Sequence, residues 1–286
     1  MMRCMQSPEV HPAAAGDAEP PTHSTFAVSR WRRGELMLSP DEVAEEVPVA
    51  LVYNGISHAV MLATPADLED FALGFSLSEG IVTRASHVYD IEIDTRDTAS
   101  PELEIASEAF MRLKDRRRSL AGRTGCGLCG TESLEQVMRL PAPVRSDASL
   151  HTDVIQAAFV QLQLRQELQQ HTGATHAAAW LRADGHVSLV REDVGRHNAL
   201  DKLAGALASS GEDISSGAVL VTSRASYEMV LKTDRHRPAC SPQCPHRRRW
   251  PCGLPKQASI TLAGFVRAGG MVYAHPQRLQ HEASLA

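Results

Sequence analysis

Short apolar runs alternate with amphipathic stretches through the second half of the chain, and no other feature restricts its fold as much. Residues 177–181 and 187–190 are apolar and flank Ala183-Asp184-Gly185, a hairpin turn signal. Residues 198–207 read as a helix, residues 217–222 as a buried strand, and residues 223–231 as a second helix that Ser223 would cap. Upstream, residues 151–171 predict one long amphipathic helix with Val154, Ala158, Leu162 and Leu168 facing inward. Strands separated by helices imply an α/β fold around a mixed sheet.

The first half carries its own pattern. Residues 47–53 and 58–63 are strand-like around Asn54-Gly55, a dipeptide whose two positions both tolerate positive φ. Thr64-Pro65-Ala66-Asp67 reads as a helix start, with Thr64 as N-cap and Pro65 in the first helical position. Leu68, Phe71, Ala72 and Phe75 follow at helical spacing, and Gly80 closes the helix. Residues 88–93 and 102–106 alternate like strands. After a basic run at 112–118 and a cysteine-bearing loop, residues 132–140 predict a short helix and 141–146 a linker. The expected organisation is a disordered tail (1–25), a smaller α+β region ending in the cysteine loop (26–145), and a C-terminal α/β domain (146–286).

Residues 234–256, DRHRPACSPQCPHRRRWPCGLPK, interrupt this order where another buried strand is due. Proline removes ladder donors and clustered arginines resist burial, so the stretch is not expected to supply that strand. Three readings compete. Cys240, Cys244, Cys252, His236 and His246 are potential zinc ligands; the segment is a disordered basic loop for an acidic partner; or it is an out-of-frame stretch between two compensating indels. The last fits the abrupt edges best, because the ligand spacings match no standard zinc pattern. Regular structure resumes at Ile260-Thr261-Leu262.

The net charge of −5 and 43% hydrophobic content describe a soluble protein with no global pull toward nucleic acid. No apolar run is long enough to span a membrane. Six cysteines without an export signal point to a reducing cytoplasm rather than a disulfide framework.

Four stretches carry chemistry. Thr124-Gly125-Cys126-Gly127-Leu128-Cys129-Gly130 frames two cysteines with glycine, which removes steric cover and suits a mobile loop. Arg123 and the helix expected after Glu132 both favour thiolate. Half of a zinc site is the alternative, but a second CxxC is absent; no thioredoxin-like βαβ pattern surrounds the pair. Glu192-Asp193-Val194-Gly195-Arg196-His197-Asn198-Ala199-Leu200-Asp201-Lys202 runs from a strand into a helix. It reads either as an anion site at the helix N-terminus or as a salt-bridged cap. Thr222-Ser223-Arg224-Ala225-Ser226-Tyr227-Glu228-Met229 repeats that arrangement, and Gly264-Phe265-Val266-Arg267-Ala268-Gly269-Gly270 is a strand end leading into a glycine-rich turn. Arginine beside small residues at three strand ends suits a phosphate-rich ligand.

Together these motifs resemble the FdhD family of formate dehydrogenase accessory sulfurtransferases, over residues 31–279 apart from 234–256. The resemblance implies a cytoplasmic homodimer with a core similar to the cytidine deaminase fold, without that fold's zinc motif. It implies a sulfur carrier: an IscS-type cysteine desulfurase passes sulfur to Cys126 as a persulfide, with Cys129 as second sulfur site or resolving thiol. The sulfur then goes to the molybdenum bis-guanine-dinucleotide cofactor destined for formate dehydrogenase. That cofactor would be bound as substrate, by Phe265, Val266, Arg267, Ala268, Gly269 and Gly270; the charge pattern adds Arg196, His197 and Arg224. Neither a permanent cofactor nor a resident metal is implied. Two departures stand out: 234–256 replaces an apolar strand and small-residue loop, and Ala268-Gly269-Gly270 replaces a more polar turn. The rival readings are a zinc-stabilised binding module built from the cysteines and a degraded, inactive copy of the family.

Overall fold

Two larger sheets form the body of the fold, and one pair of helices joins them. The computed structural model describes residues 20–94, 100–120, 149–224, 226–235, 240–244, 261–264 and 270–280. In the first sheet the order is β4-β3-β6-β5. Strands β3 (Val47–Tyr53) and β4 (Ile56–Ala63) pair antiparallel about Asn54 and Gly55, at φ 45° and 76°, as the dipeptide predicts. The Asn54 side chain also donates to the Ile105 carbonyl and accepts from the Ile105 N–H, fastening the turn to β6 (Ser100–Ile105). Strand β5 (Val88–Asp94) closes the sheet. Helix α1 (Leu68–Ser78) lays Phe71, Ala72 and Phe75 over Val49, Leu51, Tyr53, Leu103 and Ile105. Helix α2 (Ser107–Leu120) contains the basic run.

The second sheet has the order β13-β12-β11-β10-β8-β9. Strand β8 (His176–Leu181) alternates faces cleanly. Ala177, Ala179 and Leu181 meet helix α3 (Thr152–Leu164) through Ile155, Ala158, Phe159 and Leu162. Ala178 and Trp180 meet helix α5 (Arg196–Ser210) through Leu200 and Leu203. The result is an α/β layering with helices on both faces. Strand β9 (Val187–Asp193) forms one edge, and β13 (Met271–Ala274) the other. Between them lie β10 (Ala218–Arg224), β11 (Cys240–Cys244) and β12 (Thr261–Gly264), with α6 (Tyr227–Arg235) after β10. A short parallel pair, β7 (Leu150–His151) with β14 (Leu279–Gln280), adds Leu150 and Leu279 to the α3 side of the core.

Several expectations need correction. The long helix of 151–171 is two: α3 ends at Leu164, and α4 (Glu167–Thr172) starts anew. The break is imposed from β9, whose Glu192 carboxylate accepts the Leu168 and Gln169 N–H groups at 2.9 Å each and so caps a fresh helix. Val154 is only half-buried, and Ile155 and Phe159 take the inward positions. Thr64 does not cap α1, which begins after Asp67 at φ 52°. The Thr64 hydroxyl instead accepts from the Val194 N–H across the molecule. Ser223 and Arg224 belong to β10; α6 is capped by Ser226, whose hydroxyl accepts from the Met229 N–H. Strand pairing begins at His23↔Ala44, inside the expected tail, in a hairpin of β1 (His23–Arg32) and β2 (Glu35–Ala44). Within 234–256 a strand does form: β11 pairs parallel with β10 and β12, with Pro242 opposite Ala263. Backbone pairing is indifferent to side-chain polarity, and one proline costs one ladder donor in a five-residue strand.

The two sheets are joined where α1 crosses α5 at glycine. A Cβ on Gly74 would fall 1.7 Å from the Asp201 carbonyl oxygen, and one on Gly205 would fall 2.0 Å from that of Asp70. Only residues without side chains let the two backbones approach this closely. Among the described residues no helix is long and apolar enough to cross a membrane.

Candidate functional site

Strand direction gathers the candidate residues at one edge of the six-stranded sheet. Strand β8 is antiparallel to β9 and β10, and β11 and β12 are parallel to β10. The C-terminal ends of β9, β10, β11 and β12 therefore share one side, where open α/β sheets present ligand sites. Arg196 and His197 open α5 just beyond β9, and Arg224 is the last residue of β10. Gly264 ends β12 on the same side. Phe265, Val266, Arg267, Ala268 and Gly269 lie outside the described residues, as do Cys126 and Cys129; Gly270 is exposed at the start of β13.

The Glu192–Lys202 stretch divides into staples and free ends. Asp193 and Lys202 are fully buried, 2.7 Å apart. Asp193 also accepts from the Thr64 N–H (3.0 Å), the Gly195 N–H (2.7 Å) and Asn198 Nδ2 (3.0 Å). Lys202 Nζ donates to the Thr64 carbonyl at 2.9 Å, and Asn198 Nδ2 to the Leu62 carbonyl at 2.8 Å. Asp201 pairs with Lys232 at 2.7 Å and accepts from the Ser78 hydroxyl at 2.6 Å. Burial opposes the Lys232 charge, but Asp201 and Glu79 outweigh it and raise the ammonium pKa. These groups hold the β4–α1 corner of the first sheet against α5. The salt-bridged-cap reading is therefore right for them.

Arg196 and His197 are left over, and they behave differently. Arg196 Nε is buried without a hydrogen-bond partner among the described residues, and so is the Ser223 hydroxyl. Gly195 caps α5 without a side-chain bond to its first-turn amides. His197 Nε2 lies 3.0 Å from a Glu228 carboxylate oxygen, at ion-pair distance but without hydrogen-bond alignment. Unsatisfied donors beside an open helix N-terminus are what an anion would complete.

Sequence reasoning missed His176, at the first position of β8 and opposite Asp193. Burial, then the charges of Arg196 and Arg224, hold its imidazole below the ordinary histidine range despite Asp193. Those two arginines are thus close enough to act on one ring. Burial and Arg196 lower His197 likewise, against Glu228. A histidine opening an alanine-rich strand carries no sequence signal, since only the fold brings the charges of arginines from two other elements to bear on it.

Both shifts have a consequence for stability. The unfolded chain protonates these histidines near pH 6.5, the folded chain only at lower pH, so below 6.5 the unfolded state binds more protons. The stability they contribute is complete above that pH and is lost as pH falls through the folded values. We expect a lower melting temperature at about pH 5.5 than at about pH 7.5, with part of the drop removed in His176→Gln. An undiminished drop in that variant would contradict the assignment.

Residues 44–280 match the FdhD/NarQ family. The chain belongs to that family. It is 88% identical to the sulfur carrier protein FdhD of Cupriavidus necator, with all of both chains covered. It is 53% identical to the sulfur carrier protein FdhD of Variovorax paradoxus, over 84% of this chain and 87% of that one. Among solved structures, a candidate formate dehydrogenase accessory protein from Desulfotalea psychrophila superposes with a TM-score of 0.72 at 21% identity. It covers 91% of this chain and 100% of its own, a likeness of fold. The FdhD/NarQ match spans the glycine-framed cysteines and the stretches around Arg196, Arg224 and Arg267; the β1–β2 hairpin precedes it.

Proposed function

We propose that this FdhD/NarQ protein is a sulfur carrier that loads the molybdenum bis-guanine-dinucleotide cofactor for formate dehydrogenase. The observation that carries the reading is near-identity over the whole chain to a protein named as a sulfur carrier, with Cys126 and Cys129 inside the matched residues. The Cys126 thiolate attacks the outer sulfur of a cysteine desulfurase persulfide, the donor's S–S bond breaks, and the donor cysteine leaves as thiolate. Cys126 then holds the persulfide within its glycine-framed stretch and passes the outer sulfur to the cofactor: the S–S bond breaks, the sulfane sulfur takes two electrons from the cofactor's reduced molybdenum and is bound as sulfide, and Cys126 is returned as thiolate. Cys129 serves as second sulfur site or resolving thiol. On this reading the protein works in the cytoplasm as a homodimer, its six-stranded sheet corresponding to a cytidine deaminase-like core.

The cofactor is substrate here, and its phosphates suit the sheet edge. On this reading Arg196, Arg224 and the first amides of α5 bind the phosphates with the help of His197, and the stretch 265–270 is assigned to the same ligand from its sequence alone. Removing one arginine forfeits a charge-assisted hydrogen bond, so Arg196→Ala and Arg224→Ala should each weaken guanosine diphosphate binding roughly tenfold or more. Calorimetric titration that finds affinity unchanged in both variants would remove the arginines from the site.

The function itself is tested by intact-mass measurement after incubation with a cysteine desulfurase and cysteine. A gain of about 32 Da that dithiothreitol reverses, and that Cys126→Ala lacks, is the expected result. A folded wild-type chain that gains nothing would overturn the carrier role.

A further inference from the structure

A second cluster lies where the β1–β2 hairpin meets α4. His23 of β1, Glu42 of β2 and His171 of α4 each offer a ligand atom, all within 4.8 Å of one another. The two imidazoles stack with centroids 5.1 Å apart and planes 13° from parallel. His171 Nδ1 lies 2.8 Å from a Glu42 carboxylate oxygen, and the other histidine is steadied by Thr22, whose hydroxyl lies 3.2 Å from His23 Nδ1. The cluster borders a cavity of about 300 Å³ whose wall also includes Arg165, Glu167 and Glu192. Two segments far apart in sequence, the β1–β2 hairpin and α4, thus converge two histidines and a carboxylate on one point beside open space.

We propose that His23, Glu42 and His171 form a binding site for a borderline divalent cation of the zinc type. Two imidazoles and a carboxylate are a donor set such ions accept, with a fourth position left for water from the cavity. Metal–nitrogen and metal–oxygen bonds of about 2.1 Å put tetrahedral donors roughly 3.4 Å apart, so closure needs only side-chain movement of about an ångström. The ion replaces the His171 Nδ1 hydrogen, which returns to Nε2 of the same ring through solvent, leaving a neutral ligand. Its effect is mechanical. The hairpin shows much apolar surface, with Trp31 76% and Leu38 81% exposed, and a shared ion would clip both of its strands to α4. The site uses no cysteine and lies partly before the residues that match the FdhD/NarQ family, which separates it from the cysteine-based zinc module weighed from the sequence.

Cobalt(II) titration of the full chain tests the site, because the ion's spectrum distinguishes its donors. We expect one equivalent with visible ligand-field bands and no sulfur-to-cobalt charge-transfer band, lost in His23→Ala and in His171→Ala. Glu42→Gln, a surface change that keeps the hairpin's shape, should weaken that equivalent at least tenfold while the far-ultraviolet circular dichroism stays unchanged. Absence of a ligand-field band, binding accompanied wholly by the sulfur band, or full binding in His171→Ala or Glu42→Gln would each overturn the proposal.

Discussion

Cells whose only copy carries Cys126→Ala should make formate dehydrogenase protein without formate dehydrogenase activity. The reason is stoichiometric rather than energetic. A sulfane sulfur must be bonded to another sulfur between donor and acceptor, and alanine offers no atom for that bond. The substitution removes only one small polar group, between Gly125 and Gly127, so the melting temperature should stay at the wild-type value. Formate-dependent dye reduction in extracts, beside an immunoblot for the enzyme, separates lost maturation from lost expression. Cys129→Ala in the same strain tells the two assigned roles apart. A resolving thiol leaves partial activity that falls under oxidising conditions, whereas an obligatory second sulfur site leaves none. Wild-type activity in Cys126→Ala would end the carrier mechanism on this residue.

Lys202→Met should cost about 3–5 kcal/mol of stability and lower the melting temperature by about 10 °C. Lys202 and Asp193 are both fully buried, and the lysine supplies the only positive charge within 3 Å of that carboxylate among the described residues. Without it, Asp193 keeps its donors from Thr64, Gly195 and Asn198 but carries an uncompensated charge in the interior. Methionine preserves length and volume, so packing is not the cause of the loss. Pairing the change with Asp193→Asn should restore part of it, because the neutral amide no longer needs a counter-charge. Urea unfolding of the wild type, the single variant and the double variant reads this directly. A single variant with a wild-type midpoint would mean that the buried pair contributes nothing.

What could be read from the sequence is what local chemistry dictates. Asn54-Gly55 fixes a turn because positive φ is needed at two adjacent positions, and Gly217 to Val221 is too apolar to be anything but buried. The strand-to-helix stretches around Arg196 and Arg224 were legible as charge at strand ends, and strand direction gave them a common edge. What could not be read depends on partners distant along the chain. Thr64 resembles a helix cap until Val194 claims its hydroxyl. Residues 151–171 keep one helical period straight through the break, because the cap that divides them is a carboxylate from β9. The β1–β2 hairpin is exposed on both faces over much of its length and so lacks the alternation that marks a half-buried strand. Strand β11 is hidden for the opposite reason: its composition argues against burial, while its backbone finds neighbours on both sides.

The carboxylate of Asp193 has one further consequence. With one oxygen it grips Thr64, the residue just after the first sheet's β3–β4 hairpin, and with its other oxygen it grips Gly195 and Asn198, which aim the first turn of α5. At the crossing of α1 and α5 there is no side chain to act as a cushion. The corner therefore transmits displacement like a rigid bracket. A protein that leans on the β4 end of the first sheet would shift Arg196 and His197 with it.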